Sequence, residues 1–373
     1  MKILHISNYY YPHIGGIEQV ARDFVNSLTD TVQKVFCFNH EKGDKTEKVD
    51  GVEVIRAGCF AKVSSQSLSF SYGKLLKKTF KEFEPDVVVF HFPNPFSSHF
   101  LLKLLKKRPD CKLVVYYHLD ITKQKILGKL FAGQTNRLLS RAVKVLATSP
   151  VYAEHSKVLQ NFKDRCEVLP LCVNPDRVGF GAEEEKLAAE IRAKTPDKTI
   201  LFAVGRHVPY KGMEYLVRAS KLLDGGYKIY IGGKGPLTDS LKELAAGDKK
   251  IEFLGVVNDS LLKAYFMAAD IFCFPSITKN EAFGIALAEA MAFEKPAVTF
   301  TIEGSGVNYV NLNEVTGIEV ENCNVEAYAE AIKMLTEDGA LRERYGKAAK
   351  ERADSLFSAE RFAQNVRNVI SSI

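Results

Sequence analysis

Short, continuously apolar runs alternate along the chain with longer segments in which apolar residues recur at helical spacing. The short runs are interpreted as β-strands, and they are residues 2–7, 34–39, 52–57, 86–91, 112–118, 143–149, 166–171, 199–205, 227–233, 251–255, 270–276 and 296–300. Strands that are apolar on both faces and separated by helices are typical of parallel sheets covered on both sides. The pattern therefore predicts an α/β protein built from doubly wound parallel sheets.

The series of strands and helices is interrupted at residues 170–180, where Pro, Gly and Asn cluster without periodicity. A chain of 373 residues also exceeds the size at which a single core usually stops growing. We therefore predict two Rossmann-like domains, residues 1–172 and 173–354, that face each other across a cleft. Ligands of such sheets bind at the carboxyl ends of the strands, so the candidate site residues should lie there.

The composition is that of a globular protein, with 46% hydrophobic and 26% charged residues. No apolar run approaches the roughly 20 residues that span a bilayer, and residues 1–7 are interpreted as a first strand rather than a signal peptide. The seven cysteines are scattered without a C-x-x-C pair. These features predict a cytoplasmic protein with reduced thiols, without a disulfide framework or a structural zinc ion.

The two halves of the chain differ in charge. Residues 1–170 hold 26 Lys and Arg against 16 Asp and Glu, whereas the remainder holds 25 against 29. The basic excess lies in three stretches, residues 74–83, 101–109 and 120–131, where Lys alternates with Leu, Ile or Phe at helical spacing. This pattern suits contact with an anionic membrane, although solvated helix faces would give it too. No basic-aromatic pattern for nucleic acid is present.

Two strand ends carry groups that suit a phosphate. Gly15 and Gly16 precede an amphipathic helix, whose free N–H groups attract anions, although such a pair is often only a turn. In the second half, Arg206 and Lys211 lie five residues apart between a strand and a helix. They could clamp a diphosphate, or they could be solvated loop residues.

The segment "KNEAFGIALAEAMAFEKP" places Glu281 and Glu289 eight residues apart among apolar side chains. Residues 284–293 are apolar all round, which predicts a buried helix with Glu289 as its single charge. Because a carboxylate in apolar surroundings is costly unless it is paired, these acids favour a binding role.

These elements occur in an order that resembles a known family. Gly15-Gly16, His118, Arg206 with Lys211, "GKGP", "FLGVV", "PS" and the E-x7-E motif of "EAFGIALAE" resemble the retaining family-4 glycosyltransferases with the GT-B fold. The match covers almost the whole chain. Three further stretches, "SNYYYPHIGGIEQV", "HLDITKQK" and "GSGVNYVN", are similar to the branch that builds bacterial O-antigen, capsule and other surface polysaccharides.

The resemblance implies roles for individual residues. Glu281 would bind hydroxyls of the donor sugar, Glu289 the ribose diol, and Arg206 with Lys211 the diphosphate and its growing charge. His118 would lie near the anomeric carbon, and it joins Arg206, Lys211 and Glu281 as a catalytic candidate. The full set of donor-binding candidates is Gly15, Gly16, Arg206, His207, Lys211, Gly235, Val256, Glu281, Ala282, Phe283, Gly284, Ile285 and Glu289.

The resemblance also implies an acceptor side and a mechanism. Acceptor candidates lie in the basic first domain, and they are Glu18, His91, Asn94, Asp120, Lys123 and Lys125. A UDP- or GDP-hexose donor would react by front-face departure of the nucleoside diphosphate, whose own phosphate oxygen takes the acceptor's proton. Because the chain has no D-x-D motif, we expect neither a metal ion nor another cofactor. Residues 355–373 would form a terminal helix that crosses back to the first domain.

Two positions depart from the family pattern, namely Lys234 where an acid is frequent and Asn308 near the point where relatives carry an acidic residue. Alternative functions stay open. A GT-B nucleotide-sugar epimerase, a phosphorylase or a non-catalytic glycan-binding protein would share the fold. A nicotinamide or flavin oxidoreductase is disfavoured, because neither domain begins with G-x-G-x-x-G.

Overall fold

A computed structural model describes residues 1–13, 15–63, 66–120 and 125–373. These residues divide into two compact units. Unit 1 contains Met1–Pro170 and Phe362–Ile373, and unit 2 contains Leu171–Arg361.

Unit 1 is built on a mainly parallel sheet whose strand order is β10-β9-β8-β7-β1-β2-β4-β3. Its strands are β1 (Lys2–Ile6), β2 (Val32–Phe38), β3 (Lys45–Val49), β4 (Val52–Ala57), the hairpin pair β5 (Ala61–Val63) and β6 (Gln66–Leu68), β7 (Val87–Phe92), β8 (Lys112–Tyr117), β9 (Lys144–Ala147) and β10 (Cys166–Val168). Its helices are α1 (Gly16–Asn26), α2 (Tyr72–Phe83), α3 (Pro95–Leu105), α4 (Lys125–Arg141) and α5 (Pro150–His155), followed by the 3-10 turn Leu159–Arg165. Every residue of the central strand β7 is buried, as expected for a sheet covered on both faces.

Unit 2 is built on a parallel sheet whose strand order is β13-β12-β11-β14-β15-β16. Its strands are β11 (Thr199–Val204), β12 (Tyr227–Gly232), β13 (Ile251–Gly255), β14 (Ile271–Phe274), β15 (Ala297–Phe300) and β16 (Gly317–Val320). Its helices are α6 (Pro175–Val178), α7 (Ala182–Ala193), the 3-10 turn Pro209–Lys211, α8 (Met213–Ser220), α9 (Thr238–Leu244), α10 (Asp259–Ala268), α11 (Ile285–Ala292), α12 (Val307–Val310), α13 (Val325–Glu337) and α14 (Gly339–Leu356). The last helix, α15 (Ala359–Ser371), leads into the part of the chain that clusters with unit 1.

The predicted α/β class and the doubly wound parallel sheets are confirmed. The sequence pattern missed β3, β5, β6 and β16. The strand β3 runs antiparallel at the sheet edge with the polar sequence KTEKV, so it lacks the apolar run that marks a central strand.

The terminal helix predicted over residues 355–373 is present as α15, but it begins at Ala359 rather than at residue 355. Helix α14 ends at Leu356, and Phe357 has a non-helical backbone with φ of −119° and ψ of 12°. The hydroxyl of Ser358 then accepts the N–H of Arg361 at 3.3 Å and caps the start of α15. Within unit 1, Phe362 of α15 packs edge-to-face on Phe24 of α1, with ring centroids 6.4 Å apart.

Candidate functional site

The loops at the carboxyl edge of the unit 2 sheet pack so closely that glycine is required at the contacts. Gly212 has a φ of +59°, and a Cβ atom there would lie 2.0 Å from the carbonyl oxygen of Pro275. A Cβ atom on Gly306 would likewise lie 2.0 Å from the carbonyl oxygen of Ala282. The loop that carries Lys211 is therefore fixed against the end of β14, and the loop after Glu281 is fixed against the start of α12.

Lys211 and Glu281 form an ion pair at this edge. The Lys211 ammonium contacts Glu281 Oε2, and both side chains are almost buried, with 13% and 12% of their surface exposed. Ser276 donates its hydroxyl to the same carboxylate oxygen at 3.1 Å, and Ser305 holds the Glu281 carbonyl oxygen at 2.5 Å. The ammonium also lies 4.9 Å from the centre of the Phe274 ring. The structure thus brings together the predicted cation and the predicted sugar-binding acid.

Arg206 and His207, which follow β11, differ in exposure. Arg206 is exposed, and its guanidinium donates to the hydroxyl of Tyr210 at 3.3 Å. His207 is fully buried, and its Nδ1 lies 3.0 Å from the hydroxyl of Thr238. Burial lowers the pKa of His207, so its imidazole is neutral at neutral pH. The Arg206 guanidinium is therefore accessible to a ligand, whereas the His207 side chain stabilises the loop that follows β11 through its contact with Thr238.

The N-terminus of α11 offers a set of backbone donors. Gly284, with a φ of +95°, precedes the first helical residue, Ile285. Among the described residues, the N–H groups of Phe283, Gly284 and Ile285 have no backbone acceptor. Free N–H groups at a helix start, together with the helix dipole, attract a phosphate or a sugar hydroxyl oxygen. The predicted donor-binding segment is therefore open to such a ligand.

Glu289 lies inside α11 with 4% of its surface exposed. Its Oε1 accepts from Arg177 Nε at 3.0 Å and its Oε2 lies 3.5 Å from Arg177 Nη2. Arg177 also donates through Nη1 to Asp259 Oδ1 at 2.5 Å. Burial raises the pKa of Glu289 although the charge of Arg177 works in the opposite direction. The second acid of the E-x7-E motif is therefore a buried carboxylate held by one arginine.

In unit 1, the candidate His118 follows β8 and forms a buried pair with His91 of β7. The rings stack at a centroid distance of 5.3 Å, and His118 Nε2 lies 3.1 Å from His91 Nδ1. Burial lowers the pKa of His118 to about 3 and that of His91 well below its ordinary value. Both rings are therefore neutral at physiological pH, and one of the two facing nitrogens donates its N–H to the other.

The glycine pair of unit 1 begins α1 as predicted, with Gly15 at the N-cap. The carboxylate of Glu18 folds back over this helix start, since a Cβ atom on Gly15 would lie 2.2 Å from Glu18 Oε2. An acid thus already lies at the N-terminus where the sequence predicts a phosphate. A phosphate could bind here once the Glu18 side chain turns away.

The other acceptor candidates differ in what their side chains do. Asn94 is buried, and its Oδ1 accepts the N–H of Ser97 at 3.1 Å as the N-cap of α3. The Oδ1 of Asp120 accepts from the hydroxyls of Tyr117 and Ser156, both at 2.8 Å. Lys123 lies outside the described residues, and only the backbone of Lys125 is described, at the start of α4.

Comparison with known proteins decides the family. A family model described as "Glycosyltransferase Family 4" matches residues 14–177, and a model described as "Glycosyl transferases group 1" matches residues 184–352. The chain is 32% identical over 368 residues to D-rhamnosyltransferase WbpZ of Pseudomonas aeruginosa, across 96% of this chain and 93% of that protein. The chain belongs to glycosyltransferase family 4.

Two further proteins extend this result. O-antigen chain mannosyltransferase C of Escherichia coli is 29% identical over 378 residues, which cover 100% of this chain and 99% of the relative. The structure of Anabaena Alr3699/HepE in complex with UDP-glucose superposes with a TM-score of 0.80 at 16% identity, over 100% of both chains. At that identity the likeness shows the fold alone, and the fold is GT-B.

The structure gives both departures from the family-4 pattern a physical setting. The Oδ1 of Asn308 accepts the N–H of Ile302 at 2.8 Å, and its Nδ2 donates to the Phe300 carbonyl oxygen at 3.1 Å. This amide therefore ties the loop after β15. Lys234 is exposed, and its carbonyl oxygen accepts the N–H of His207 at 3.3 Å, so its backbone lies beside the loop that follows β11. Gly235, next to it, donates its N–H to Thr238 Oγ1 at 2.9 Å, whereas Val256 is 79% exposed.

Sequence reasoning missed Arg177 as the partner of Glu289. Arg177 lies in the segment that the sequence marks as a linker, 112 positions before Glu289. A buried acid without a cation in its own helix was the available signal, since such an acid requires a partner from elsewhere. Ser276 and Ser305, which hold Glu281, were also missed because serines are common in loops.

Two negative findings apply to the described ranges. No three His, Cys, Asp or Glu side chains there lie close enough together to hold a metal ion, and metal independence stays a prediction. Of the helices described, none is both long enough and apolar enough to span a membrane.

Proposed function

We propose that this family-4 glycosyltransferase moves a hexosyl unit from a UDP- or GDP-sugar to a sugar hydroxyl of a lipid-linked or growing surface polysaccharide, with retention of the anomeric configuration. One observation carries the proposal. Exposed Arg206, the Lys211–Glu281 pair and the open N–H groups at the start of α11 all lie at the carboxyl edge of the unit 2 sheet. Such an edge suits a sugar linked to a diphosphate.

The names of the relatives support the substrate class. The Escherichia coli relative is an O-antigen mannosyltransferase, and the Pseudomonas relative is a D-rhamnosyltransferase. The Anabaena protein of similar fold was solved with UDP-glucose. The three names differ in the sugar, so the proposal includes both a UDP-linked and a GDP-linked donor.

The geometry suggests how the residues of unit 2 divide the work. Arg206 and Lys211 neutralise the diphosphate as negative charge grows on its leaving oxygen, and the α11 N–H groups add fixed donors there. Because Glu281 is already bound to Lys211 and Ser276, it acts as a positioned hydrogen-bond acceptor for sugar hydroxyls rather than as a nucleophile. The acceptor's proton passes to an oxygen of the departing phosphate, so no protein base is required.

The proposal assigns the acceptor to unit 1, together with His118. The pKa of about 3 keeps the His118 imidazole neutral. A neutral imidazole can bind a sugar hydroxyl without repelling the positive charge that develops at the anomeric carbon, whereas an imidazolium would repel it. No metal ion or other cofactor takes part in the proposed reaction.

The test is a donor screen followed by product analysis. The full chain is incubated with UDP- and GDP-hexoses and a panel of oligosaccharide acceptors, and the anomeric proton of the product is identified by NMR. We expect transfer with retention from one nucleotide series, and unchanged rates in excess EDTA. Product formed from the nucleotide sugar without acceptor would favour the epimerase alternative, and inversion would refute the proposed mechanism.

We also propose contact with an anionic membrane at the cytoplasmic face. Helix α2 presents Lys74, Lys77, Lys78 and Lys81 on its exposed side. Just before it, Phe70 is 87% exposed and stacks on Phe60, which is 49% exposed, at a ring-centroid distance of 4.0 Å. Basic side chains beside exposed aromatic rings are suited to the lipid interface.

This contact is tested by co-sedimentation of the full chain with phosphatidylglycerol vesicles at low salt, with phosphatidylcholine vesicles as the control. We expect binding to the anionic vesicles, weakened by salt and by the double variant Phe60→Ser/Phe70→Ser. If the chain sediments with neither kind of vesicle, or to the same extent with both, the membrane assignment is wrong.

A further inference from the structure

We infer that Arg177 is a positioning residue of the donor site, which holds the Glu289 carboxylate ionised and oriented for the ribose hydroxyls of the nucleotide. The inference rests on the proposed function, in which Glu289 binds the ribose. It adds a residue outside the recognised motif, from a segment that the sequence marked as a linker.

The contact between the two side chains is nearly bidentate. Arg177 Nε lies 3.0 Å from Glu289 Oε1 and Arg177 Nη2 lies 3.5 Å from Oε2, so the guanidinium faces both carboxylate oxygens. A guanidinium fork fixes the plane of a carboxylate as well as its position. Each carboxylate oxygen has two lone pairs, so each can accept from Arg177 and from a ribose hydroxyl together.

Burial explains why Glu289 needs this partner. The carboxylate has 5% of its side chain exposed and lies in a helix whose other members are apolar. Without a nearby cation, such a group binds a proton rather than stay charged. A protonated carboxyl has one hydroxyl donor and weaker acceptors, so it could no longer accept from both hydroxyls of a ribose diol.

The backbone around Arg177 is held in place from two directions. Asn174 caps the short helix α6 by accepting the N–H of Asp176 at 2.8 Å. Beyond the helix, Phe180 stacks on Phe293 at the end of α11, with centroids 5.9 Å apart. The segment is thus attached to α11 by an aromatic contact as well as by the ion pair, which keeps the guanidinium beside Glu289.

Asp259 provides a matched control within the same cluster. It accepts from Arg177 Nη1, but its side chain is 67% exposed, whereas that of Glu289 is 5% exposed. An exposed ion pair contributes little, since water solvates both partners. Asp259→Asn should therefore leave Glu289 with its partner and leave nucleotide binding close to that of the wild type.

The experiment measures how strongly the full chain distinguishes ribose from 2′-deoxyribose. Dissociation constants for UDP and GDP and for their 2′-deoxy analogues are determined by calorimetry for the wild type, Arg177→Met, Arg177→Lys and Asp259→Asn. A hydrogen bond to an ionised group corresponds to a preference of about 10-fold or more, so we expect the wild type to prefer the ribonucleotide by that factor.

We expect Arg177→Met to reduce this preference to about 2-fold or less, while its affinity for the 2′-deoxy analogue stays near that of the wild type. The lost preference should return as the pH rises, because Glu289 then ionises without its partner. Arg177→Lys, which keeps the charge but not the fork, should give an intermediate preference, and Asp259→Asn should leave it unchanged.

Each outcome decides the inference. An unchanged ribose preference in Arg177→Met would overturn it and leave the proposed function intact. An equal loss of affinity for the ribonucleotide and its 2′-deoxy analogue would do the same. If Arg177→Met does not fold, the Arg177→Lys variant decides instead, and an undiminished ribose preference in that variant would overturn the inference. A wild type that binds nucleotide without a ribose preference would overturn the inference alone, whereas one that binds neither UDP nor GDP would overturn the proposed function with it.

Discussion

The carboxyl edges of the two sheets differ in the charge of the side chains that they hold. In unit 1 the buried His118 and His91 at this edge are neutral, and a hydrogen bond joins their facing ring nitrogens. In unit 2 the corresponding groups are charged, and the acids are paired with Lys211 and Arg177 while Arg206 remains exposed. The same sheet architecture therefore holds a neutral histidine pair in one unit and an exposed cation beside paired acids in the other.

This difference matches the two substrates of the proposed reaction. A neutral sugar hydroxyl is bound by neutral donors and acceptors, whereas a diphosphate requires cations that are already in place before charge develops. In unit 2, the pairing of both acids means that their negative charges do not cancel the attraction of Arg206 for a phosphate. The contrast between the edges can be tested by changing charges in one unit at a time.

The largest effect should follow from removing the exposed cation of unit 2. Arg206→Ala should lower kcat by roughly 100-fold to 1,000-fold, because a fixed donor to the growing phosphate charge is lost. Initial rates with saturating donor measure this loss. Arg218, an exposed arginine of α8, provides the control, and Arg218→Ala should retain the activity of the wild type.

A result in which Arg206→Ala and Arg218→Ala have equal rates would show that the cationic edge does not serve the reaction. The charge contrast between the units would then be structural.

Variants of the Lys211–Glu281 pair should affect stability and activity differently. Either Lys211→Met or Glu281→Gln alone should destabilise unit 2 by about 3 kcal/mol, since each leaves a nearly buried charge without its partner. The double variant should regain much of that free energy of unfolding while remaining inactive. Chemical denaturation and rate measurements on the same samples test this.

An exposed pair serves as the reference for that cycle. Lys347 and Glu343 lie on α14 with 64% and 67% of their side chains exposed, so Lys347→Met should change the free energy of unfolding by less than about 1 kcal/mol. Equal losses from Lys347→Met and Lys211→Met would contradict the description of the site pair as nearly buried and mutually dependent.

Much of this organisation could be predicted from the sequence, for identifiable reasons. The central strands are apolar on both faces, and the helix that carries Glu289 has no polar face, so pattern alone placed them. The sequence could not identify Arg177 as the partner of Glu289, because the two residues are 112 positions apart and only tertiary packing brings them together. The pairing of His91 with His118 likewise depends on the adjacency of β7 and β8.

Unit 1 should lose stability on acidification because its buried histidines are neutral. Burial lowers the pKa of His5 to about 4 and that of His118 to about 3, whereas an unfolded chain titrates near its ordinary value of 6.5. Below about pH 6.5 the unfolded state therefore binds more protons, and each such histidine destabilises unit 1 by up to about 1.4 kcal/mol per pH unit.

The loss of stability can be measured by hydrogen exchange of peptides from β1 and β8 between about pH 7 and pH 5. The exposed His155 gives a control, since His155→Gln should not alter the slope. Exchange in unit 1 that is independent of pH, after correction for the intrinsic rate, would show that these histidines are not buried as neutral groups.

In unit 2, Glu319 should contribute a dependence of the opposite sign. Burial raises the pKa of Glu319 from 4.5 to about 7, so the native state binds the additional proton and stability falls as pH rises through this window. Glu319→Gln should remove this contribution to the slope. Glu321→Gln, at the exposed position that follows the last residue of β16, should not. Persistence of the slope in Glu319→Gln would assign it to another group.

The central claim is that the carboxyl edge of unit 2 binds the nucleoside diphosphate. Hydrogen exchange of the full chain with saturating UDP or GDP tests it most directly, with Arg206→Ala as the control. We expect the strongest protection in peptides that contain residues 206–211 and 281–289, and its loss in Arg206→Ala. Protection confined to unit 1, or equal protection in the variant, would contradict the claim.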